Sequence, residues 1–274
     1  MTDQLTVPAT VLANIRRRWP DIAEPWAAQV GTEFRTLCDR YQATPREVLP
    51  ARYGFVTAVD TPHGPLVLRS SPDPHGADQA AVATALANLD AAPRVHEAVT
   101  TDHGTWTVID RVLPGTPLSQ VAPATVDPQA LFAPLAAMRD QPPPRLGMPS
   151  IFDWLRERLE DDQLIDLRPG TTIAPVNERQ TALALLDDLA RGHAPALCHG
   201  DASSGNIIAS GPTHWAFIDP RGVTGEHTYD VAVLAIRVTA AFPASEIRTY
   251  IAELAQVSPA RLDAWMAVAQ AARV

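Results

Sequence analysis

Apolar side chains recur at helical spacing from Val11 to Tyr41, where Trp19, Trp26, Phe34, Leu37 and Cys38 supply the contacts of a predicted helical start. The period then shortens to that of strands. Arg52–Asp60 and Pro65–Ser70 flank the turn residues Thr61, Pro62, His63 and Gly64, which predicts an antiparallel hairpin. Gly76–Leu89 is alanine-rich at helical spacing, and Thr105–Val112 reads as a further strand before Leu113–Pro117 (LPGTP) breaks it. The break is the natural hinge between a strand-rich lobe over residues 1–112 and a helical lobe over 113–274. In the second lobe, helices are predicted over Pro128–Met138, Ile151–Asp162, Asn177–Arg191, Tyr229–Ala241, Ala244–Leu254 and Pro259–Ala272. Short strands at Ala196–Leu197, Ile207–Ile208 and Trp215–Ile218 surround a polar loop.

Length and composition narrow the function classes. A chain of 274 residues with 46% hydrophobic and 19% charged residues is long enough for one large domain or two lobes sharing a cleft. The net charge of -9 disfavours nonspecific binding to nucleic acid or an anionic membrane, both of which need clustered positive charge. Cys38 and Cys198 are far apart in apolar surroundings and suggest neither a disulfide framework nor a zinc set. No signal peptide follows Arg16, Arg17 and Arg18, and no apolar run is long enough to span a bilayer, so a soluble cytoplasmic protein is expected. All 22 basic residues are arginine. A Walker A lysine, a pyridoxal Schiff base and a lysine general base are therefore excluded.

The chemistry concentrates in His199–Asn206 (HGDASSGN) and Ile218–Gly222 (IDPRG), which set Asp201 and Asp219 eighteen positions apart. In-line phosphoryl transfer needs a carboxylate to orient and deprotonate an acceptor hydroxyl, a role that suits Asp201. It also needs hard oxygen donors for Mg²⁺ on the nucleotide phosphates, and the Asn206 carbonyl and Asp219 carboxylate supply them. Read as zinc ligands, His193, His199 and Asp201 lack a well-spaced further histidine or cysteine, and that reading leaves Asn206 and Asp219 unexplained.

The pair HGDxxxxN and IDPxG, followed by Tyr229-Asp230-Val231-Ala232, resembles the signatures of the aminoglycoside phosphotransferase family. The segment WAFIDPRGVTGEHTYDVA is most similar to the streptomycin 6-phosphotransferase and hydroxyurea phosphotransferase subgroup. The resemblance implies a two-lobed, kinase-like α+β fold and transfer of the γ-phosphoryl group of ATP or GTP, with Mg²⁺, to a hydroxylated small molecule. It implies Asp201 as base, His199 as a residue orienting the loop, and Asn206 and Asp219 as metal ligands. Backbone groups near Arg111 and Leu113 are expected to meet the adenine. Arg69 stands where the family's strand supplies a phosphate-binding lysine, and Gln79, or Asp78 one register away, stands for the glutamate that holds it.

Gly200 cannot make the pairing by which an arginine at that place in protein kinases reads a phosphorylated activation loop, and the Gly222-to-Asp230 interval is too short for the segment on which peptide substrates rest, favouring a small acceptor. The acidic residues Glu160, Asp161, Asp162, Asp166, Asp187 and Asp188 could attract a cationic one, although such runs more often solvate helix ends. Two other readings remain at this point. One is a kinase of a sugar or amino alcohol; the other is a nucleotide-binding module that Arg69 and Gln79 have left catalytically impaired.

Overall fold

The structure is a computed structural model that describes residues 6–122, 125–167, 170–241 and 247–274. The chain falls into two compact units, one of residues 1–80 and 93–111, the other of residues 81–92 and 112–274.

In the first unit, the helical stretch predicted over Val11–Tyr41 forms two helices, α1 (Ala9–Arg18) and α2 (Pro20–Tyr41). The break falls at Trp19, whose φ of -138° and ψ of 71° are not helical. A residue before proline is pushed out of the helical region, while Pro20 at the first position of α2 loses nothing by lacking an N–H.

Five antiparallel strands follow in the spatial order β1-β2-β3-β5-β4, namely β1 (Thr44–Val48), β2 (Phe55–Thr61), β3 (Gly64–Ser71), β4 (Val95–Thr100) and β5 (Thr105–Asp110). The predicted hairpin is β2–β3, closed at Thr61 and Gly64. The edge strands β1 and β4 carry no run of apolar residues and keep Arg46, Glu47, His96 and Glu97. That polarity suits an edge and hides the strands from a search for apolar alternation.

Strand periodicity sorts β3. Leu66 and Leu68 enter a core with Trp26, Phe34, Phe55 and Trp106, and Ser70 on the same face accepts the Trp26 Nε1–H at 2.9 Å. Val67 and Arg69 therefore point to the opposite face. Gly54 lies against this strand so closely that a Cβ would stand 2.8 Å from the Ser70 carbonyl oxygen, which explains the lone glycine in RYGFV. From β3 the chain enters α3 (Gly76–Ala87), whose first residues belong to the first unit and whose later ones belong to the second.

The second unit contains α4 (Pro128–Met138), α5 (Ile151–Glu160), α6 (Val176–Ala190), α7 (His227–Ala241), α8 (Ile247–Ala255) and α9 (Pro259–Ala271). Residues 244–246 of the helix predicted over Ala244–Leu254 lie outside the described residues. Two small antiparallel pairs accompany the helices, β6 (Ala196–Leu197) with β9 (Thr224–Gly225) and β7 (Ile207–Gly211) with β8 (His214–Phe217). Residues 231–235 of α7 are all buried, as expected of a helix that is apolar on every side. Of the predicted break, Gly115 and Thr116 bond to Ala209 of β7, and Ser119 bonds to Ser204. Among the described residues, no helix is long and apolar enough to cross a membrane.

Candidate active site

In the second unit, β6 delivers the chain to His199, Gly200 and Asp201, and the start of α7 holds this turn. The buried Asp230 carboxylate accepts the backbone N–H of His199 at 2.7 Å and that of Gly200 at 2.9 Å. Burial pushes the Asp230 carboxyl up to about 7, while the two N–H donors favour the ionised form. Gly200 is required by the backbone, because φ is +80° and a Cβ would meet Val223 Cγ2 at 2.6 Å. Its identity is thus set by this turn, before any argument about activation segments.

His199 joins the two sequence motifs. Its ring nitrogens meet the Ile218 carbonyl oxygen at 3.0 Å and the Asp201 backbone N–H at 3.2 Å. Only one tautomer satisfies both, with Nε2–H donating to Ile218 and the Nδ1 lone pair accepting from Asp201. Burial holds the imidazole neutral, with its pKa lowered to about 4, and the ring packs on Phe217 at 4.8 Å between centroids.

The Asp201 carbonyl accepts from the Ser203 N–H at 2.8 Å and from Asn206 Nδ2 at 3.1 Å, closing a tight loop. The Asn206 carbonyl in turn accepts the Ile218 N–H at 2.9 Å, one residue before Asp219. Asp219 is exposed and has φ +57°, a left-handed turn before the buried Pro220. His199, Asp201, Asn206 and Ile218, the residue before Asp219, are therefore joined by a continuous network. Asn206 spends its amide donor on the loop, which leaves its side-chain oxygen as the chemically suitable ligand. Asn206 and Asp219 fit Mg²⁺, which takes hard oxygen donors and binds through few protein groups when phosphates supply the rest. Among the described residues, no group of three or more His, Cys, Asp or Glu forms a metal cluster, so the zinc reading has no support.

Sequence reasoning passed over Arg221 and Trp154. Arg221 donates its backbone N–H to the His199 carbonyl at 2.9 Å and its Nε–H to the Gly200 carbonyl at 3.0 Å, and its Nη2 lies 3.4 Å from Asp201 Oδ2. The guanidinium lies 3.9 Å from the centroid of Trp154 on α5. Trp154 is thus a half-buried platform for a cation beside Asp201. The available signal was the charged residue inside IDPRG, next to a motif already singled out.

In the first unit, Arg69 Nη2 donates to Gln79 Oε1 at 3.0 Å. Asp78 Oδ2 lies 3.5 Å from His75 Nδ1. Gln79 Nε2 donates to Asp73 Oδ2 at 2.9 Å, a partner that sequence reasoning missed. The Arg111 N–H is used within the sheet, donating to the Pro65 carbonyl at 3.0 Å, and its side chain pairs with Glu47. Its amide is therefore not available to adenine in this arrangement. Leu113 is exposed.

Four of the six residues of the acidic run are paired with arginines. Asp162 pairs with Arg179, Asp166 with Arg158, Asp187 with Arg156 and Asp188 with Arg191. Asp161 caps the Gln163 N–H at 2.7 Å. These pairs neutralise most of the charge on which attraction of a cationic acceptor was to rest.

The model of the phosphotransferase enzyme family, APH, matches residues 47–265. The chain belongs to that family. Solved structures similar to this phosphotransferase include an aminoglycoside phosphotransferase, APH(3'')-Id, from Streptomyces rimosus, at 17% identity and TM-score 0.57, covering 88% of this chain and 98% of that one. A choline/ethanolamine kinase family protein from Mesorhizobium loti is similar at 15% identity and TM-score 0.64, covering 88% and 83%. An ethanolamine kinase from Plasmodium vivax is similar at 12% identity and TM-score 0.55, covering 100% and 87%. A search of curated proteins by sequence found no match. The phosphotransferase thus has the kinase-like α+β fold expected from its motifs.

Proposed function

We propose that this phosphotransferase moves the γ-phosphoryl group of ATP, or GTP, to a hydroxyl of a small acceptor. The observation that carries this reading is the network from Asp201 through His199 and Asn206 to Ile218, which seats Asp219 beside the loop. Asp201 accepts the hydroxyl proton as the acceptor oxygen bonds to phosphorus and the nucleoside diphosphate departs. His199 holds the Asp201 backbone, and Asn206 and Asp219 hold Mg²⁺. The metal, when bound, supplies charge neutralisation on the phosphate oxygens. Arg69 contacts nucleotide phosphate, and the backbone around Leu113 and the Arg111 carbonyl meet the base. Similar proteins support the choice of nucleotide, since the aminoglycoside phosphotransferase APH(4)-Ia is known in complexes with ADP and with AMP-PNP, each with hygromycin B. A cytoplasmic setting follows from the use of a nucleotide triphosphate.

For the acceptor we favour an amine-bearing alcohol of the aminoglycoside type, such as streptomycin, or hydroxyurea, by the subgroup resemblance of the IDPRG segment. Such an activity would confer antibiotic resistance. The choline/ethanolamine kinase likeness supports a second reading, an amino-alcohol metabolite. Both acceptor classes are small, and the chain passes from Gly222 through β9 into α7 at His227 with no long segment on which a peptide could rest.

The test offers purified protein and Mg·ATP to streptomycin, other aminoglycosides, hydroxyurea, choline and ethanolamine, and detects phosphoryl addition by mass. Transfer to one of them is expected, with only a modest loss at high salt because the acidic side chains are already paired. Failure to turn over ATP with any acceptor or with water would overturn the kinase reading.

A further inference from the structure

A lysine–glutamate pair can hold a phosphate-binding cation by direct attraction. This chain has a neutral amide where that glutamate would stand, and an amide has two unlike ends. Only its oxygen can accept from a guanidinium; its NH₂ would face Arg69 donor to donor. Asp73 removes the choice. Its carboxylate takes the Gln79 Nε2–H at 2.9 Å, so the only orientation that satisfies both neighbours presents Oε1 to Arg69, at 3.0 Å. Gln79 is buried, so water is a poor substitute for either partner. Asp73 is itself fixed, accepting the His75 N–H at Oδ1 (2.8 Å) and donating its own N–H to Ser71 Oγ at 3.2 Å.

We propose that Asp73 is a positioning residue for the phosphate contact of Arg69, acting through the orientation it imposes on Gln79. The inference rests on the nucleotide reading given above.

Asp73→Asn, Gln79→Glu, the double variant and wild type are titrated with Mg·AMP-PNP and with adenosine, which carries no phosphate, and their unfolding temperatures are recorded. The Asp73→Asn change keeps the turn at His75 but lets the Gln79 amide reverse, so AMP-PNP should bind about fivefold more weakly while adenosine binds as to wild type. In Gln79→Glu the new carboxylate offers an oxygen to Arg69 in either orientation, and the asparagine of Asp73→Asn can turn its NH₂ toward that carboxylate. The double variant should therefore recover AMP-PNP affinity to within about twofold of wild type, whatever its unfolding temperature. Unchanged AMP-PNP binding in Asp73→Asn, an equal loss for adenosine, or a double variant no tighter than Asp73→Asn would overturn the relay. Wild type that binds neither probe would instead overturn the nucleotide reading, and the relay with it.

Discussion

The loop around Asp201 and the strand around Arg69 hold their charged groups by different means. At the loop the holding is done largely by backbone: Asp230 grips two peptide N–H groups, His199 grips one N–H and one carbonyl, and Asn206 grips the Asp201 carbonyl. On the strand, side chain holds side chain, from Arg69 to Gln79 to Asp73. Backbone contacts tie each residue to a fixed place in the chain. A side-chain relay constrains only the sum of donors and acceptors, so its members can be exchanged together.

The largest effect should come from the loop. Asp201→Asn keeps the shape but removes the carboxylate proposed as proton acceptor, and turnover should fall about 10³-fold while nucleotide affinity changes less than about twofold. Single-turnover rates and nucleotide titration separate the two quantities. Wild-type turnover in this variant would end the base assignment and, with it, the division between a loop that does the chemistry and a strand that binds.

Next in size is Asp219→Ala. Loss of the anionic oxygen should weaken nucleotide binding in the presence of Mg²⁺ by roughly 10²-fold and leave metal-free binding almost unchanged. Equal losses with and without metal would mean that Asp219 matters through its turn and not through its charge.

On the strand, substitutions should be milder. Arg69→Ala is expected to raise the KM for ATP about tenfold, and Arg69→Lys about threefold or less, because the ammonium keeps the charge and can still donate to Gln79 Oε1. Identical kinetics in all three proteins would place Arg69 outside the phosphate contact.

This contrast also explains what could be read from residues alone. HGDASSGN and IDPRG were legible because a loop bonded to itself at short range demands fixed residues at fixed spacing. Most helices and the central hairpin were legible from apolar period. Asp73 was hidden because nothing local marks a carboxylate as the partner of an amide six positions later. Trp154 was hidden because a tryptophan on the face of a helix has the same spacing whether it fills a core or carries the Arg221 guanidinium. The edge strands β1 and β4 were hidden by their polarity. The pairing of the acidic run was hidden because its arginine partners lie from 3 to 31 residues away, and the pairing is a property of the folded helices.

The smallest expected effect concerns acid stability and sharpens the view of the loop as a backbone-held unit. His199 has a folded pKa of about 4 against an ordinary 6.5, so as pH falls below 6.5 the unfolded chain takes up a proton that the folded one refuses. The stability His199 contributes is complete above that value and is lost as pH falls toward 4. Asp230 acts in the opposite sense, since its carboxyl is near 7 when folded against an ordinary 3.8. Its contribution is complete below 3.8 and is lost as pH rises through 7. Between about pH 4 and 6.5 the two slopes oppose each other, and wild type should show a shallow dependence from this pair. Asp230→Asn removes one side of the balance. Between pH 6.5 and 4.5 the unfolding temperature of that variant should drop further than that of wild type, by up to roughly 5 °C, while groups common to both proteins cancel in the difference. Parallel curves for the two proteins would show that Asp230 stays ionised throughout this range, with the His199 and Gly200 N–H groups outweighing burial.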